Sequence, residues 1–252
     1  MKQAVLWIGL FLCALGAQAA PAINVGVVYD YLEQDRSSYL KRVSNTGTST
    51  AFIRVDVLEI VYNADGTHRE VPVASLTDGD GNATRRDGLM ASPARLIVPA
   101  NGRQGTRLLY MGARDKERYF RVRFIPVVPE KDDNFAITDE ERADYKDSLA
   151  AGINVMAGYG TVFFVRPKAT RFDTQINQTA NQYQLRNNGN SVVVLDEFRD
   201  CSLTAKSDCL PTTKHHILPG RQLVFEKKTD RTYGFQLIEG QNKKPVTVNG
   251  NG

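Results

Sequence analysis

Apolar and polar residues alternate along most of this chain, and the alternation predicts strands. The longest such stretch, 149–167, reads LAAGINVMAGYGTVFFVRP. Leu149, Ala151, Ile153, Val155, Ala157 and Tyr159 fall on one side of a period-two repeat, and Ala150, Gly152, Asn154, Met156 and Gly158 on the other. A helix would repeat near 3.6, so the pattern is that of a β-strand. Its second half, TVFFV, is a continuous apolar run suited to burial on both faces. Arg166-Pro167 ends it, because proline lacks a ladder donor and restricts the residue before it.

Shorter runs of the same kind precede it. INVGVV (23–28), 39–43 and AFIRVDVLEIVY (51–62) read as strands, with Ile53, Val55, Val57 and Ile60 in register and Phe52 out of phase. NADGT (63–67) is an Asp-Gly hairpin turn. Segments 89–112 give two strands bent around Pro99 to Gly105. In 114–129, Phe120, Val122 and Phe124 point inward while Tyr119, Arg121 and Arg123 share the outward face. The acidic connection 130–147 is long for a hairpin and is either a mobile loop or contains a short helix. Beyond Pro167, strands are expected over 182–185, 192–195, 223–225 and 232–238, separated by turns at NNGN and PGR. No helical periodicity of useful length and no repeat is present. Many short strands in two blocks predict an all-β protein of two tandem sandwiches, 20–166 and 167–240, followed by a flexible polar tail, 241–252.

The N-terminus, MKQAVLWIGLFLCALGAQAA, has one lysine, an apolar run and small residues at Ala17 and Ala19, which is the form of an export signal cleaved after Ala19. No later segment approaches the twenty apolar residues of a membrane span, so no membrane insertion is expected. Loss of the signal removes Cys13. The remaining pair, Cys201 and Cys209, is expected to form a disulfide in an exported chain, stabilising by about 2–3 kcal/mol. Zinc would need four ligands; the adjacent His215 and His216 point to opposite faces of a strand and make that cluster a poor fit.

A formal charge of +4 is too mild to indicate nucleic acid without a basic stripe interleaved with aromatics. No G-x-S-x-G elbow, glycine-rich phosphate loop or H-E-x-x-H helix is present, so no catalytic residue is assigned and no enzyme is expected. Asp78, Asp80 and Asn82 have the spacing of a calcium loop, but Ala83 and Leu89 stand where glycine and glutamate are needed; the segment reads as a solvated loop. No metal or cofactor is expected. Arg121 and Arg123, with Arg107 near in sequence, form a candidate anion site; the plainer reading is a solvated face with weak surface pairs.

Two readings of 149–167 are open on these grounds: a core strand, or an exposed edge that pairs with another protein's sheet. A resemblance bears on the choice. LMASPARLIVPANGRQGTRLLY followed by KERYFRVRF resembles the signature of periplasmic pilus chaperones, and GINVMAGYGTVFFVRP resembles the long strand closing their first domain. RNNGN, the Cys201–Cys209 pair and HILPGRQLVF fit the second domain, and the details are most similar to the alternate, common-pilus and colonisation-factor class.

The resemblance implies two immunoglobulin-like sandwiches in an L. It also implies a function, in which the chain lends a strand to pilin subunits that lack one and passes them to an outer-membrane usher. Donated side chains would be Ile153, Val155 and Ala157, with Leu149 and Ala151 upstream. The better-known class places a lysine where this chain has Val162, and INVGVVYDY lacks the matching arginine. Arg107, Arg121 or Arg123 is therefore the expected anchor for the subunit's terminal carboxylate, since bidentate arginine suits that group. Arg166, with Glu117 and Asp230, would form an interdomain ion pair. A free edge of this kind can also promote self-association. The competing expectations are a structural pilin or adhesin, whose donated segment would be N-terminal, and a carbohydrate-binding module, for which exposed aromatics are wanted and the single Trp7 lies in the signal.

Overall fold

The computed structural model describes residues 20–63, 65–77, 83–150, 156–205 and 207–250. The elements in chain order are β1 (Ile23–Asn24), β2 (Tyr29–Leu32), β3 (Ser38–Asn45), β4 (Ala51–Tyr62), β5 (His68–Pro72), β6 (Ser75–Thr77), β7 (Ala83–Arg86), β8 (Gly88–Ser92), β9 (Arg95–Val98), β10 (Arg103–Met111), β11 (Arg118–Pro126), α1 (Asp139–Ala150) and β12 (Tyr159–Val165). After Pro167 come β13 (Thr174–Gln178), β14 (Gln182–Asn187), β15 (Val193–Ser202), β16 (Thr213–Ile217), β17 (Gln222–Glu226), β18 (Arg231–Glu239) and β19 (Asn242–Asn249).

In the first sandwich one sheet runs β1-β3-β10-β8 and the other β2-β12-β11-β4-β5, with β9 also paired to β4. Its core is the set of inward residues that the alternation selects: Ile53 and Val55 on β4, Phe120, Val122 and Phe124 on β11, Phe163 and Val165 on β12, and Leu108 on β10. In the second sandwich a β13-β14-β17 sheet faces β16-β15-β18-β19. Tyr183, Leu185, Val193, Leu195, Phe235 and Val248 fill the space between. Cys201 and Cys209 are joined, tying the end of β15 to the loop that follows it.

Two expectations are corrected. Of the strand predicted from Leu149 onward, Leu149 lies in α1, Met156 to Gly158 belong to no strand and β12 starts at Tyr159. The helix has a local cause: Thr138 N–H donates to Glu141 Oε2 at 2.7 Å and Glu141 N–H to Thr138 Oγ1 at 3.1 Å, a reciprocal capping box. Three acidic residues occupy its first turn, where the helix dipole favours them. Tyr145 and Leu149, one turn apart, then cover Phe52 and Phe135 in a satellite cluster. Phe52, out of phase with the core face of β4, is buried by this helix on the opposite side, its ring 4.7 Å from Tyr145 and 5.3 Å from Phe135.

The second correction is the tail. Residues 242–249 pair with β18 along their full length, and Val246 and Val248 pack on the second core while Lys243 and Lys244 face solvent. Period two in KKPVTV carries this strand, and two valines on one face outweigh the polar composition. The candidate calcium-loop residues Asp78, Asp80 and Asn82 lie outside the described residues.

Candidate functional site

β12 is paired on one side by β11 from Tyr159 to Val165. On the other side the parallel strand β2 reaches only from Val162 to Val165, with Val162 N–H donating to Val28 O at 2.8 Å. Upstream of Val162 the chain preceding β2 has crossed to the opposite sheet through Gly26, whose φ of +70° a side chain would disfavour, and β1 pairs with β3 instead. Among the described residues, no strand covers Tyr159–Thr161 on that side. Val27 (63% exposed), Val28 (45%) and Tyr159 (40%) stand beside this open edge. Unpaired ladder groups flanked by exposed apolar side chains are a template for an added strand.

The residues expected to be donated are placed unevenly. Ala157 is exposed and lies two residues before the start of β12. Leu149 is buried in α1, away from that line. Ala151, Ile153 and Val155 lie outside the described residues.

Beside the edge, between the two sandwiches, lies a cavity of about 450 Å³ lined by Tyr29, Tyr62, Val162, Phe164, His216 and two guanidinium groups, Arg121 and Arg221. Its floor is aromatic: Phe164 stacks on Tyr31 at 5.0 Å and on His216 at 5.2 Å. His216 Nε2 lies 2.8 Å from the Tyr31 hydroxyl, and burial, aided by Lys214, pushes the imidazole down to about 4. Arg221, on the turn before β17, donates to Asn63 O at 2.5 Å and so bridges the second sandwich to the β4–β5 turn.

Of the three candidate anchors, the structure brings Arg121 and Arg123 together on the outer face of β11, where both bind Glu70 of β5. Arg121 lines the cavity. Burial acts to raise the Glu70 carboxyl, but the hydrogen bond from Arg121 and the charge of Arg123 outweigh it and hold it below the usual range. Arg107 is apart from them: it lies exposed on β10 in the other sheet, its Nη1 3.3 Å from Ser38 Oγ. Nearness in sequence placed it with them; the sandwich separates its two sheets.

The interdomain network also differs from expectation. Arg166 reaches Glu117 only through Ser191: its Nη1 donates to Ser191 Oγ at 2.5 Å, and that hydroxyl donates to Glu117 Oε1 at 2.6 Å. Glu117 also accepts from Val192 N–H at 2.9 Å. Burial raises the Glu117 carboxyl despite these donors and the Arg166 charge. The direct carboxylate partner of Arg166 is Glu33, at 3.2 Å. Asp230 is not a member; it precedes β18, and its carbonyl accepts from Leu203 N–H. Ser191, Glu33 and Arg114 were not legible in the sequence. Arg114 binds the carbonyl of Arg166 through Nε and Nη2 (2.9 and 2.7 Å) and those of Glu33 and Arg36, pinning the strand end to the 33–36 loop without a carboxylate. Backbone acceptors leave no mark in a sequence.

No family model matches the chain. It is 24% identical over 250 residues to a protein named probable fimbrial chaperone EcpB of Klebsiella pneumoniae, covering 98% of this chain and all of that one. The corresponding protein of Escherichia coli O157:H7 is 24% identical over 251 residues, with the same coverage. Among solved structures, the class 5 fimbriae chaperone CfaA superposes with a TM-score of 0.54 at 20% identity over 90% of this chain and 98% of that one. The Pseudomonas aeruginosa CupB2 chaperone gives 0.51 at 13% identity over 89% and 98%. This chain is thus similar to fimbrial chaperones along its whole length and has their two-sandwich fold.

Proposed function

We propose that this chain is a periplasmic chaperone that holds pilin subunits by lending them a strand and delivers them to an outer-membrane usher. The observation that carries the reading is the open, apolar-flanked edge of β12 in a chain similar to fimbrial chaperones from end to end. The work is binding and exchange, without covalent chemistry. Continuing the β12 ladder upstream would align Ala157, Val155, Ile153 and Ala151 with Thr161, Phe163 and Val165, the residues that face the core. The donated side chains would then extend the chaperone's apolar face into a subunit's groove. Each branched residue buried there contributes about 1.5–3 kcal/mol, and alanine much less. Leu149 is already buried against Phe52, so the donated segment starts after α1.

The terminal carboxylate of the subunit is seated by Arg121, at the cavity beside the same strand; Arg123 is satisfied by Glu70 and Arg107 is on the wrong sheet. Residues 1–19 serve as a cleavable export signal, and the sandwiches divide at Arg166-Pro167, with β19 part of the second.

Coexpression with a candidate pilin, followed by capture from the periplasm, tests the reading. A soluble one-to-one complex is expected, and Ile153→Asp with Val155→Asp should abolish it. Recovery in polymers would mark a fibre subunit instead. N-terminal sequencing of the periplasmic form should begin at Ala20, and sizing of the free chain reports whether its edge pairs with a second copy.

A further inference from the structure

Arg121 is held from one side. Its Nε donates to Glu70 Oε1 at 2.9 Å, whereas among the described residues neither Nη1 nor Nη2 has a hydrogen-bond acceptor. The stem of the side chain crosses β12 at Gly160, where an added Cβ would stand 3.2 Å from Arg121 Cδ. Glu70 meanwhile takes Arg123 on its other oxygen, so it carries a counter-charge of its own. An unrestrained arginine would give up much of its rotamer freedom on seating a carboxylate, and fixing it beforehand lowers that cost.

We propose that Glu70 is a positioning residue for the carboxylate seat: it fixes Arg121 through Nε and turns the Nη1–Nη2 edge into the interdomain cavity. This rests on Arg121 being the anchor, as set out above. Glu70 has two opposed effects on an arriving anion. Its charge repels the anion across the site, and its hydrogen bond aims the group that binds it. Glu70→Gln and Glu70→Ala remove the charge equally, but only the amide keeps an acceptor for Nε. Their ratio therefore isolates the aiming. Arg123, nearly half exposed, is free to turn away from the amide.

The test titrates the full mature chain with N-acetylglycine, a minimal free carboxylate terminus, and with N-acetylglycinamide as the uncharged control, reading the ¹⁵N-labelled arginine Nε–H signals. N-acetylglycine should shift the Arg121 signal and the amide should not. Glu70→Gln should bind N-acetylglycine at least as well as the parent, and Glu70→Ala about tenfold more weakly than Glu70→Gln. The Arg121 Nε–H should exchange slowly with water in the parent and in Glu70→Gln but rapidly in Glu70→Ala. Equal affinities for the two Glu70 variants, with binding lost in Arg121→Ala, would overturn the aiming role and leave the anchor standing. Undiminished binding in Arg121→Ala would overturn both.

Discussion

Glu117→Ala is the most exacting test of how the two sandwiches are joined. The carboxylate is 6% exposed, and it accepts the Ser191 hydroxyl at 2.6 Å and the Val192 N–H at 2.9 Å; Arg166, 3% exposed, stands behind Ser191. Truncation strands a buried hydroxyl and a buried amide and removes the negative charge nearest Arg166 on that side. Hydrogen bonds to a charged partner are each worth about 1.5–3 kcal/mol, and breaking a buried ionic cluster by removing one member costs about 3–5. Arg166 keeps Glu33, so the lower part of that range, about 3–4 kcal/mol, is expected. Urea denaturation followed by fluorescence and by far-ultraviolet dichroism reads the loss. Arg123→Ala, an exposed pair, serves as the control and should cost less than about 1 kcal/mol. A loss below about 1 kcal/mol for Glu117→Ala would refute the argument, because it would mean that water satisfies these groups at the junction.

Leu149→Ala should destabilise by about 2 kcal/mol, and Thr138→Ala by about 1, with faster amide exchange confined to α1 and its cluster rather than spread through the sandwich core. His216, whose folded-state value of about 4 lies below the ordinary 6.5, favours the neutral form when folded. Its contribution is therefore fully present above pH 6.5 and lost as the pH falls from 6.5 through 4. A His216→Gln variant should show a shallower decline of unfolding free energy over that window, and an unchanged slope would remove the histidine from the account. Replacing both Cys201 and Cys209 by serine should cost the second sandwich about 2–3 kcal/mol by thermal unfolding, and adding reductant should lower the parent but not that variant.

Side-chain alternation made the strands of both sandwiches legible, because a half-buried strand must repeat every two residues whatever it packs against. The same rule misled at Leu149. Small apolar residues at period two are compatible with a strand, but the Thr138–Glu141 capping box starts a helix upstream, and Phe52 offers Leu149 and Tyr145 a place to dock. The capping signature T-D-E-E was present to be read. At 242–249 the error ran the other way: composition suggested a tail where two alternating valines suffice to complete a sheet.

For the candidate site, residue types narrowed the proposed anchor to arginines, and the fold sets those arginines apart. Arg107 and Arg121 are equivalent as sequence, but they lie on opposite sheets, and only Arg121 faces the cavity. The sequence by itself determined the all-β class, the paired cysteines and the alternating segment that leads into β12, since each depends on local chemistry. Only the tertiary structure decided that β2 stops short of Tyr159–Thr161, that Ser191 stands between Arg166 and Glu117, and that Glu70 holds Arg121. Those are meetings of residues distant along the chain, and neither spacing nor composition encodes the distance between them in space.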